Sequence, residues 1–414
     1  MELPELNADA VDRAADVLRP VVRCTPLMPS PRLTAEVGTP VLLKREDQQL
    51  ARSYKVRGAY HLIRSLGADE RERGVICASA GNHGQGLAYA CAALGIRGTV
   101  VVPQNTPRQK RRRILDLGQG LVELVTTGST YDQASAAAHE LAEASGAVHV
   151  HPFDDPRTIV GQGTIAPELV EQLPDLATLV VPVGGGGLIS GLALWMRARR
   201  PDVRIIGAEP AGAASMAAAL AVGEPVVLEE IDTFVDGAAV GKAGVLTFPV
   251  VRDLVDEVVS VPEGAVCTEM LELYQVEGVI AEPAGALASA AAKRIQVGEG
   301  PVVAIVSGGN NDVSRYAEIV ERSLVHEGLR HYFLVTFPQE PGALRHFLDD
   351  VLVEGADIVL FEYTKKNNRE TGPALVGIEL ESAGDLPGLL DRMDASPLTI
   401  ELVPPGSPAF SFLL

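Results

Sequence analysis

The stretch Leu179-Val-Val-Pro-Val-Gly-Gly-Gly-Gly187, with the helical run at residues 188–199 behind it, decides the class of fold. Its apolar residues do not alternate with polar ones, which indicates a strand buried on both faces, as in a parallel sheet. The glycines let a backbone approach a ligand closely, and the helix start offers free N–H groups and a positive dipole end. The segment therefore predicts either a tight turn or an anion-binding turn. Its spacing fits neither G-x-x-x-x-G-K-[ST] nor G-x-G-x-x-G, so we expect a monophosphate rather than a nucleotide.

Short apolar runs alternate with alanine-rich helical runs from residue 74 onward, and this order predicts an α/β domain of parallel sheets with flanking helices. The expected strands are residues 40–46, 74–78, 98–103, 121–125, 147–150, 179–183, 203–207 and 301–306. Two of them are followed by Ser79-Ala-Gly-Asn-His-Gly-Gln-Gly86 and Ser307-Gly-Gly-Asn310. Ligands of such sheets collect at the carboxyl ends of the strands. The three turns are therefore expected to share one site.

Lys55 stands where a loop becomes a helix, because Val56, Tyr60, Ile63 and Leu66 have helical spacing. An arbitrary lysine at such a position is usually a solvated side chain. The turns described above favour another interpretation, since a primary amine near an anion-binding turn suits an anionic aldehyde cofactor.

The turn at residues 79–86 also has two interpretations. It leads into a helix expected at residues 87–94, with Asn82 and His83 near the helix start, where Asn or Ser side chains commonly cap free N–H groups. The functional alternative is a seat for a carboxylate.

The composition excludes several classes of protein. The chain has 414 residues, 47% of them hydrophobic and 21% charged, which is an ordinary globular composition with room for two or three domains. Its net charge of -19 repels phosphate backbones and anionic membranes, so neither nucleic acid nor a membrane is an expected partner. The uncharged run at residues 176–196 contains Pro182 and the four glycines, which would leave backbone groups unpaired in lipid.

Cysteine usage and the N-terminus indicate a cytoplasmic protein. Cys24, Cys77, Cys91 and Cys267 form no C-x-x-C pair, so neither a disulfide framework nor a zinc or other metal site is predicted. A reducing compartment fits such a chain best. The N-terminus is acidic and lacks an apolar h-region, so no signal peptide is expected.

The tail at residues 331–404 has the pattern strand, helix, strand, strand, helix, strand, with a turn at residues 367–370. This βαββαβ order is the ferredoxin-like arrangement. We therefore expect a main domain at residues 1–327 and a separate α+β domain at residues 328–414, with Gly328 as the hinge. Within the main domain, residues 74–151 are expected to form a smaller subdomain.

Four motifs in this order resemble those of the fold-type II pyridoxal-phosphate enzymes, the class of the tryptophan synthase β chain. They are Ser53-Tyr-Lys-Val-Arg-Gly-Ala59 and the turns at residues 79–85, 184–187 and 307–310. Within this class the whole chain most resembles the threonine dehydratases, or threonine ammonia-lyases, of the biosynthetic type. Further matches are Lys44-Arg-Glu-Asp47, His151-Pro-Phe-Asp154, Gly161-Gln-Gly-Thr164 and Glu282-Pro-Ala-Gly285. The tail resembles their ACT-like regulatory domain, with Glu340-Pro-Gly-Ala-Leu344 after its first strand.

The resemblance implies pyridoxal 5'-phosphate as the cofactor and a role for each motif. Lys55 is the implied catalytic residue, which would hold the cofactor as a Schiff base and take the Cα proton of the substrate. The residues implied to bind the cofactor are Lys55, Tyr54, Asn82, Gly184, Gly185, Gly186, Gly187 and Ser307. Those implied to bind the substrate are Ser79, Ala80, Gly81, Asn82, His83 and Glu282. A hydroxyl partner such as Ser307 makes the ring a weak electron sink, which favours β-elimination over transamination.

The implied reaction is β-elimination of L-threonine to 2-oxobutanoate and ammonia, the first step of isoleucine biosynthesis. The alternatives are a dehydratase of L-serine or 3-hydroxyaspartate and a non-catalytic amino-acid sensor. The intact set of Lys55, Asn82, the glycine turn and Ser307 argues against the sensor. Related serine racemases use a second serine as an acid where this chain has Ala80, so racemisation is disfavoured.

The ACT-like tail implies regulation. The implied effector is L-isoleucine or another branched-chain amino acid such as valine, and the residues implied to bind it are Glu340, Gly342 and Leu344. The long biosynthetic enzymes carry two ACT-like units, whereas this chain has room for one. The domain would otherwise be an assembly surface, and family precedent implies a homotetramer or homodimer.

Overall fold

The computed structural model describes residues 5–352, 354–363, 370–407 and 409–410. The chain divides into two compact units, Met1–Asp312 and Val313–Leu414. The boundary expected from the sequence, between residues 327 and 328, lies later in the chain, beyond a helix at Tyr316–His326 that belongs to the second unit. That boundary stays a prediction.

The first unit contains two sheets. Its strands are β1 (Leu27–Pro29), β2 (Val41–Arg45), β3 (Val75–Ala78), β4 (Gly98–Val102), β5 (Val122–Thr126), β6 (Val148–His149), β7 (Thr178–Pro182), β8 (Arg204–Pro210), β9 (Glu257–Val261) and β10 (Val302–Val306). The larger sheet has the order β1-β2-β10-β7-β8-β9, with every neighbouring pair parallel except β1 and β2. The smaller sheet has the order β5-β4-β3-β6 and is parallel throughout. The predicted α/β class with parallel sheets is confirmed.

Helices flank both sheets of the first unit. They are α1 (Ala8–Leu18), α2 (Pro31–Val37), α3 (Lys55–Arg64), α4 (Ala68–Arg73), α5 (Asn82–Leu94), α6 (Arg108–Gly118), α7 (Tyr131–Ser145), α8 (Pro156–Gly163), α9 (Ile165–Gln172), α10 (Gly187–Arg199), α11 (Ser215–Val222), α12 (Thr247–Leu254), α13 (Glu263–Gln275) and α14 (Pro283–Ala292). Three of them begin with proline, at Pro31, Pro156 and Pro283. Proline suits that position because its missing N–H would have no partner within the helix anyway.

The central strands of the larger sheet are buried on both faces, as their apolar runs predict. Leu179 and Val181 of β7 and Val303 and Ile305 of β10 share a hydrophobic core with Leu192 of α10. Fully burying a side chain of this size stabilises the fold by about 1.5–3 kcal/mol. The carboxyl ends of these strands, and the turns that follow them, are therefore held by a rigid core.

Two strands and one helix start differ from expectation. β1 and β9 were not predicted, because β1 is short and β9 is an edge strand whose Glu257 and Ser260 are exposed. Helix α5 begins at Asn82, whereas helical residues were expected only after residue 86. Gly84 weakens helix propensity but is required there, since a Cβ on it would lie 2.3 Å from the Ser79 carbonyl oxygen.

The second unit is an antiparallel sheet with helices. Its elements are α15 (Tyr316–His326), β11 (Arg330–Pro338), α16 (Ala343–His346), β12 (Asp357–Tyr363), β13 (Thr371–Glu379), α17 (Leu386–Ala395) and β14 (Thr399–Val403). The strand order β12-β13-β11-β14 is that of a ferredoxin-like fold, which confirms the predicted α+β tail. Phe333, Phe347, Val376 and Leu389 belong to its core. The turn expected at residues 367–370 falls, except for its last residue, outside the described residues.

Candidate active site

The segment before α3 is hydrogen-bonded to the turn that follows β10. The amide of Tyr54 donates to the carbonyl of Ser307 at 3.1 Å. Ser53 and Gly308 form an isolated antiparallel bridge beside this bond. The segment immediately before Lys55 and the turn that begins at Ser307 are far apart in the chain but therefore lie side by side in the structure.

Lys55 is the first residue of α3, and its Nζ donates to the carbonyl of Pro152 at 3.0 Å. Nζ also lies 5.2 Å from the centre of the Tyr54 ring. Burial lowers the pKa of this amine to about 8, while the carboxyl group of Glu282 opposes the shift. The neutral amine, which nucleophilic and general-base chemistry require, is therefore accessible close to physiological pH.

The glycine turn after β7 borders the pocket that contains the Lys55 side chain. The pocket is lined by Tyr54, Lys55, Phe153, Pro182, Gly184, Gly185, Gly186, Gly187, Leu188, Gly237 and Val240. Gly186 has a φ of 89°, and a Cβ on Gly185 would lie 2.3 Å from the Phe153 ring. Thr247 Oγ1 donates to the Gly185 carbonyl at 2.6 Å and holds the turn. The first N–H groups of α10 lack intrahelical partners, so this turn is a cradle suited to an anion.

Asn82, at the start of α5, contacts Glu282, which directly precedes α14. Asn82 Nδ2 donates to Glu282 Oε1 at 2.5 Å, and Asn82 Oδ1 accepts from Asn310 Nδ2 at 2.7 Å. Burial raises the pKa of Glu282 to about 7, Asp236 adds to the rise, and the hydrogen bond from Asn82 opposes it. A carboxyl group that changes protonation near neutral pH therefore lies beside the predicted substrate motif.

Ser307 is buried directly after β10. Its Oγ donates to the carbonyl of Ala284 at 3.1 Å, so the side chain reaches the first turn of α14. A hydroxyl group can both donate and accept. Ser307 therefore offers the neutral partner that the sequence predicts for a cofactor ring.

The other residues of the predicted substrate motif, at positions 79, 80, 81 and 83, differ in what they contact. Ser79 Oγ accepts from the amide of Gly81 at 3.2 Å, and a Cβ on Gly81 would meet no atom within 4 Å. Ala80 packs against the core of the smaller sheet. His83 is buried, its Nε2 donates to the Val150 carbonyl at 2.7 Å, and burial lowers its pKa to about 3. The ring of His83 is thus a neutral support for the turn, and Gly81 is the position with open space beside it.

Two of the three predicted effector residues, Glu340 and Gly342, lie on the exposed turn between β11 and α16, and the third, Leu344, lies in the first turn of α16. Gly342 has a φ of 98° and directly precedes α16. Leu344 is 42% exposed, and Glu340 is exposed as well. The three residues are therefore neighbours on one surface segment of the second unit, a turn and the start of the helix that follows it.

A buried carboxylate outside this site serves the fold. Glu209 Oε1 and Oε2 accept from the amides of Met216 and Ala217 at 2.7 and 2.8 Å and so cap α11. Among the described residues, no group of three or more His, Cys, Asp and Glu side chains is arranged to hold a metal ion. In the same part of the chain, no helix combines the length and the apolar character that crossing a membrane would need.

Comparison with known proteins gives the family. Residues 18–308 match the model of the pyridoxal-phosphate dependent enzymes, and residues 321–413 match the C-terminal regulatory domain of threonine dehydratase. The biosynthetic L-threonine dehydratase IlvA of Mycobacterium tuberculosis is 58% identical over 413 residues, which are 99% of this chain and 96% of that protein. The chain belongs to the threonine dehydratase family. Another member, IlvA of Bacillus subtilis, is 49% identical over 93% of this chain and 92% of that protein.

Solved structures agree with this family membership. Threonine deaminase isoform 2 from Solanum lycopersicum is 37% identical, with a TM-score of 0.72 over 77% of this chain and 94% of that chain. Maize serine racemase is 35% identical, with a TM-score of 0.71 over 77% of this chain and 98% of that chain. The threonine dehydratase fold is therefore shared with an enzyme named for another reaction.

Membership of the threonine dehydratase family confirms pyridoxal phosphate as the cofactor predicted from the sequence. The site fits that group. It offers an amine with a pKa of about 8 at Lys55, a glycine turn at the start of α10 whose Gly185 has no room for a Cβ beside the Phe153 ring, and a side-chain amide at Asn82. These are the groups that an anionic aromatic aldehyde needs.

Sequence reasoning assigned no role to Asn310, although it recognised the motif that contains it. The contacts of Asn310 are to Ala51 and Asn82, which belong to segments far from it in the chain. No spacing rule connects such segments. The available signal was the motif itself, whose last residue is a polar side chain directly behind a tight turn.

Proposed function

We propose that this chain removes the β-hydroxyl and the amino group of L-threonine and releases 2-oxobutanoate and ammonia, with Lys55 as the catalytic residue. The observation that carries the proposal is the Lys55 amine, whose pKa of about 8 leaves it partly neutral beside an anion cradle. The 58% identity to a protein named L-threonine dehydratase supports threonine as the substrate.

The cofactor-binding roles follow the surroundings of each group. Gly184 to Gly187 hold the phosphate, since their turn ends at the start of α10. Asn82 donates to the phenolic oxygen of the ring, Ser307 faces the ring nitrogen, and Tyr54 lies against the ring pocket beside Lys55. Bound pyridoxal phosphate supplies an aldehyde that captures amines and a ring that withdraws electrons from Cα. A hydroxyl beside the nitrogen keeps that withdrawal modest, which suits elimination.

The chain's own residues bind the substrate and move its protons. The turn at Ser79, Ala80 and Gly81 and the start of α5 at Asn82 and His83 seat the substrate carboxylate through backbone N–H groups. The His83 ring supports this segment through its hydrogen bond to the Val150 carbonyl. Lys55, displaced by the substrate amine, takes the proton from Cα as a general base. The β-hydroxyl then leaves as water with the proton that Lys55 took from Cα, and addition of one water to the released enamine gives 2-oxobutanoate and ammonia. Glu282, with a pKa of about 7, lies on the substrate side and binds the substrate.

Two other substrates of the same chemistry remain as alternatives, L-serine and 3-hydroxyaspartate. Racemisation of serine is a further candidate because of the similarity to maize serine racemase. That reaction needs an acid on the second face of Cα, and Ala80 offers only a methyl group at the position assigned to it. We therefore favour elimination.

The second unit is proposed to regulate the first. L-isoleucine, or another branched-chain amino acid, binds at Glu340 and Gly342 of the turn and Leu344 of α16 and lowers activity. We place the regulatory domain at residues 328–414 and the catalytic domain at residues 1–327. The active form is a homotetramer or homodimer in the cytoplasm.

Measuring 2-oxo-acid release by the purified full chain tests the proposal. We expect 2-oxobutanoate from L-threonine, slower pyruvate formation from L-serine, and suppression of the threonine reaction by L-isoleucine. Lys55→Ala should abolish turnover while the protein stays folded. Normal turnover by Lys55→Ala, or a clear preference for serine in the wild-type chain, would overturn the assignment.

A further inference from the structure

Asn310 joins three segments that carry the proposed site. Its Nδ2 donates to the carbonyl of Ala51 at 2.9 Å and to Asn82 Oδ1 at 2.7 Å. Its backbone N–H donates to the carboxyl group of Glu282. Asn310 therefore contacts the loop before Lys55, the start of α5 and the start of α14 at once.

The Ala51 carbonyl determines which side-chain atoms of Asn310 and Asn82 donate and which accept. The carbonyl of Ala51 can only accept, so the side-chain atom of Asn310 that faces it must be the nitrogen Nδ2. The same nitrogen faces Asn82, so the Asn82 atom that receives its second hydrogen must be Oδ1. Nδ2 of Asn82 is thereby turned toward Glu282. One backbone carbonyl thus determines the orientation of both amides.

We propose that Asn310 is a positioning residue that holds the Asn82 amide with its N–H groups available to the cofactor. An amide nitrogen carries two hydrogens, so Asn82 Nδ2 can serve Glu282 and an oxygen of the cofactor ring together. A flipped amide would instead present Oδ1 to that oxygen, and two acceptors repel each other. The inference rests on the proposed contact between Asn82 and the cofactor, and adds the group that orients Asn82.

Asn310→Asp is the sharpest test, because it keeps the shape and replaces the donor with an acceptor. The new carboxylate would repel the Ala51 carbonyl and attract Nδ2 of Asn82, which turns the amide over. We expect the dissociation constant of pyridoxal phosphate, measured by titrating the cofactor-free full chain, to rise about tenfold. The absorption band of the bound cofactor should also shift. Asn105→Asp, the same change at an exposed residue, is the matched control and should change neither quantity.

A double-mutant cycle separates positioning from a general structural effect. In an Asn82→Ala background the oriented amide is gone, so Asn310→Asp should weaken cofactor binding by less than about twofold. An equal loss in both backgrounds would overturn the inference and leave the assignment of Asn82 intact. If Asn82→Ala alone leaves cofactor affinity unchanged, the proposed contact of Asn82 fails and the inference fails with it.

Asn310→Ala keeps the test decisive if Asn310→Asp does not fold, which loss of the thermal transition in circular dichroism would reveal. This change removes the donor without adding a charge. We expect cofactor binding to weaken about threefold to tenfold in the wild-type background and to stay the same in the Asn82→Ala background. Unchanged affinity in the wild-type background would contradict the inference.

Discussion

Arg57 and Glu46 form an ion pair from which water is excluded. Nε and Nη2 of Arg57 donate to the two carboxylate oxygens of Glu46 at 2.9 Å each, and both side chains are fully buried. Arg57 Nη1 also donates to Glu168 of α9 at 2.7 Å, and Lys44 of β2 donates to the same carboxylate at 2.8 Å. Arg57 is two residues beyond Lys55, so this network anchors the helix that begins with the catalytic amine.

Removing the guanidinium should destabilise the fold strongly. We expect Arg57→Met to lower the free energy of unfolding by about 3–5 kcal/mol, because it leaves buried carboxylates without their partner. Arg112→Met is the control, since Arg112 pairs with Asp116 at the surface, and it should cost about 1 kcal/mol or less. Urea unfolding of the cofactor-free proteins measures both. Similar losses in the two variants would contradict the anchoring role.

Capture of the cofactor should depend on pH through Lys55. Only the neutral amine attacks an aldehyde, and burial lowers the pKa of this amine from 10.5 to about 8. The rate at which the cofactor-free chain binds pyridoxal phosphate, followed by stopped-flow absorbance, should rise through pH 8 and then level off.

The same shift affects stability. The protonated amine destabilises the folded state below about pH 8, and this cost is relieved as the pH rises from 8 toward 10.5. A capture rate that rises only near pH 10.5, as for an exposed lysine, would show that the amine is not buried in this way.

Alanine substitutions at two glycines distinguish an effect on the anion-binding turn from an effect of backbone strain alone. Gly186 and Gly223 have left-handed φ values of 89° and 95°, so alanine costs about 1–2 kcal/mol at either position. At Gly186 the added Cβ would also lie 2.7 Å from Met216 and 2.8 Å from Thr247, whereas at Gly223 it would meet no atom within 4 Å.

We therefore expect Gly186→Ala to raise the dissociation constant of pyridoxal phosphate about tenfold or more, and Gly223→Ala to leave it within about twofold. Titration of the cofactor-free proteins gives both constants. Equal affinities would show that the phosphate is not held at this turn.

The effector turn can be tested against a residue of equal exposure. Leu344 and Leu402 are both 42% exposed in the second unit, but Leu402 lies on β14. Burying a carboxylate against the apolar side chain of isoleucine costs free energy, so Leu344→Asp should abolish inhibition by L-isoleucine while threonine turnover without isoleucine stays within about twofold. Leu402→Asp should keep the inhibition. Dose-response curves of threonine turnover against isoleucine concentration measure the inhibition of both variants. Loss of inhibition in both would point to a general effect on the domain.

The sequence predicted those parts of the fold that depend on local pattern. Continuous apolar runs identified β7 and β10, and the turns behind them marked one end of the larger sheet. The edge strand β9 was not predicted because Glu257 and Ser260 interrupt its apolar pattern. The start of α5 was not predicted because Gly84 and Gly86 oppose helix formation. Their presence in the helix is explained by tight packing that leaves little room for a Cβ.

The site was predictable as a set of motifs but not as a network. Lys55, Asn82 and Ser307 each stand in a recognisable segment. The bonds from Asn310 to Ala51 and Asn82 depend on tertiary structure alone, as does the burial that raises the pKa of Glu282. Those interactions connect residues that sequence spacing does not relate, so the structure was needed to find them.

The most direct test of the central claim, that the cofactor binds at Lys55, is borohydride reduction of the holoenzyme followed by peptide mapping with mass spectrometry. Reduction makes the bond between the cofactor and its lysine permanent. The account predicts the phosphopyridoxyl group on the peptide that contains Lys55, and its absence from peptides that contain Lys44 or Lys110. The group on another lysine, with Lys55 unmodified, would contradict the account.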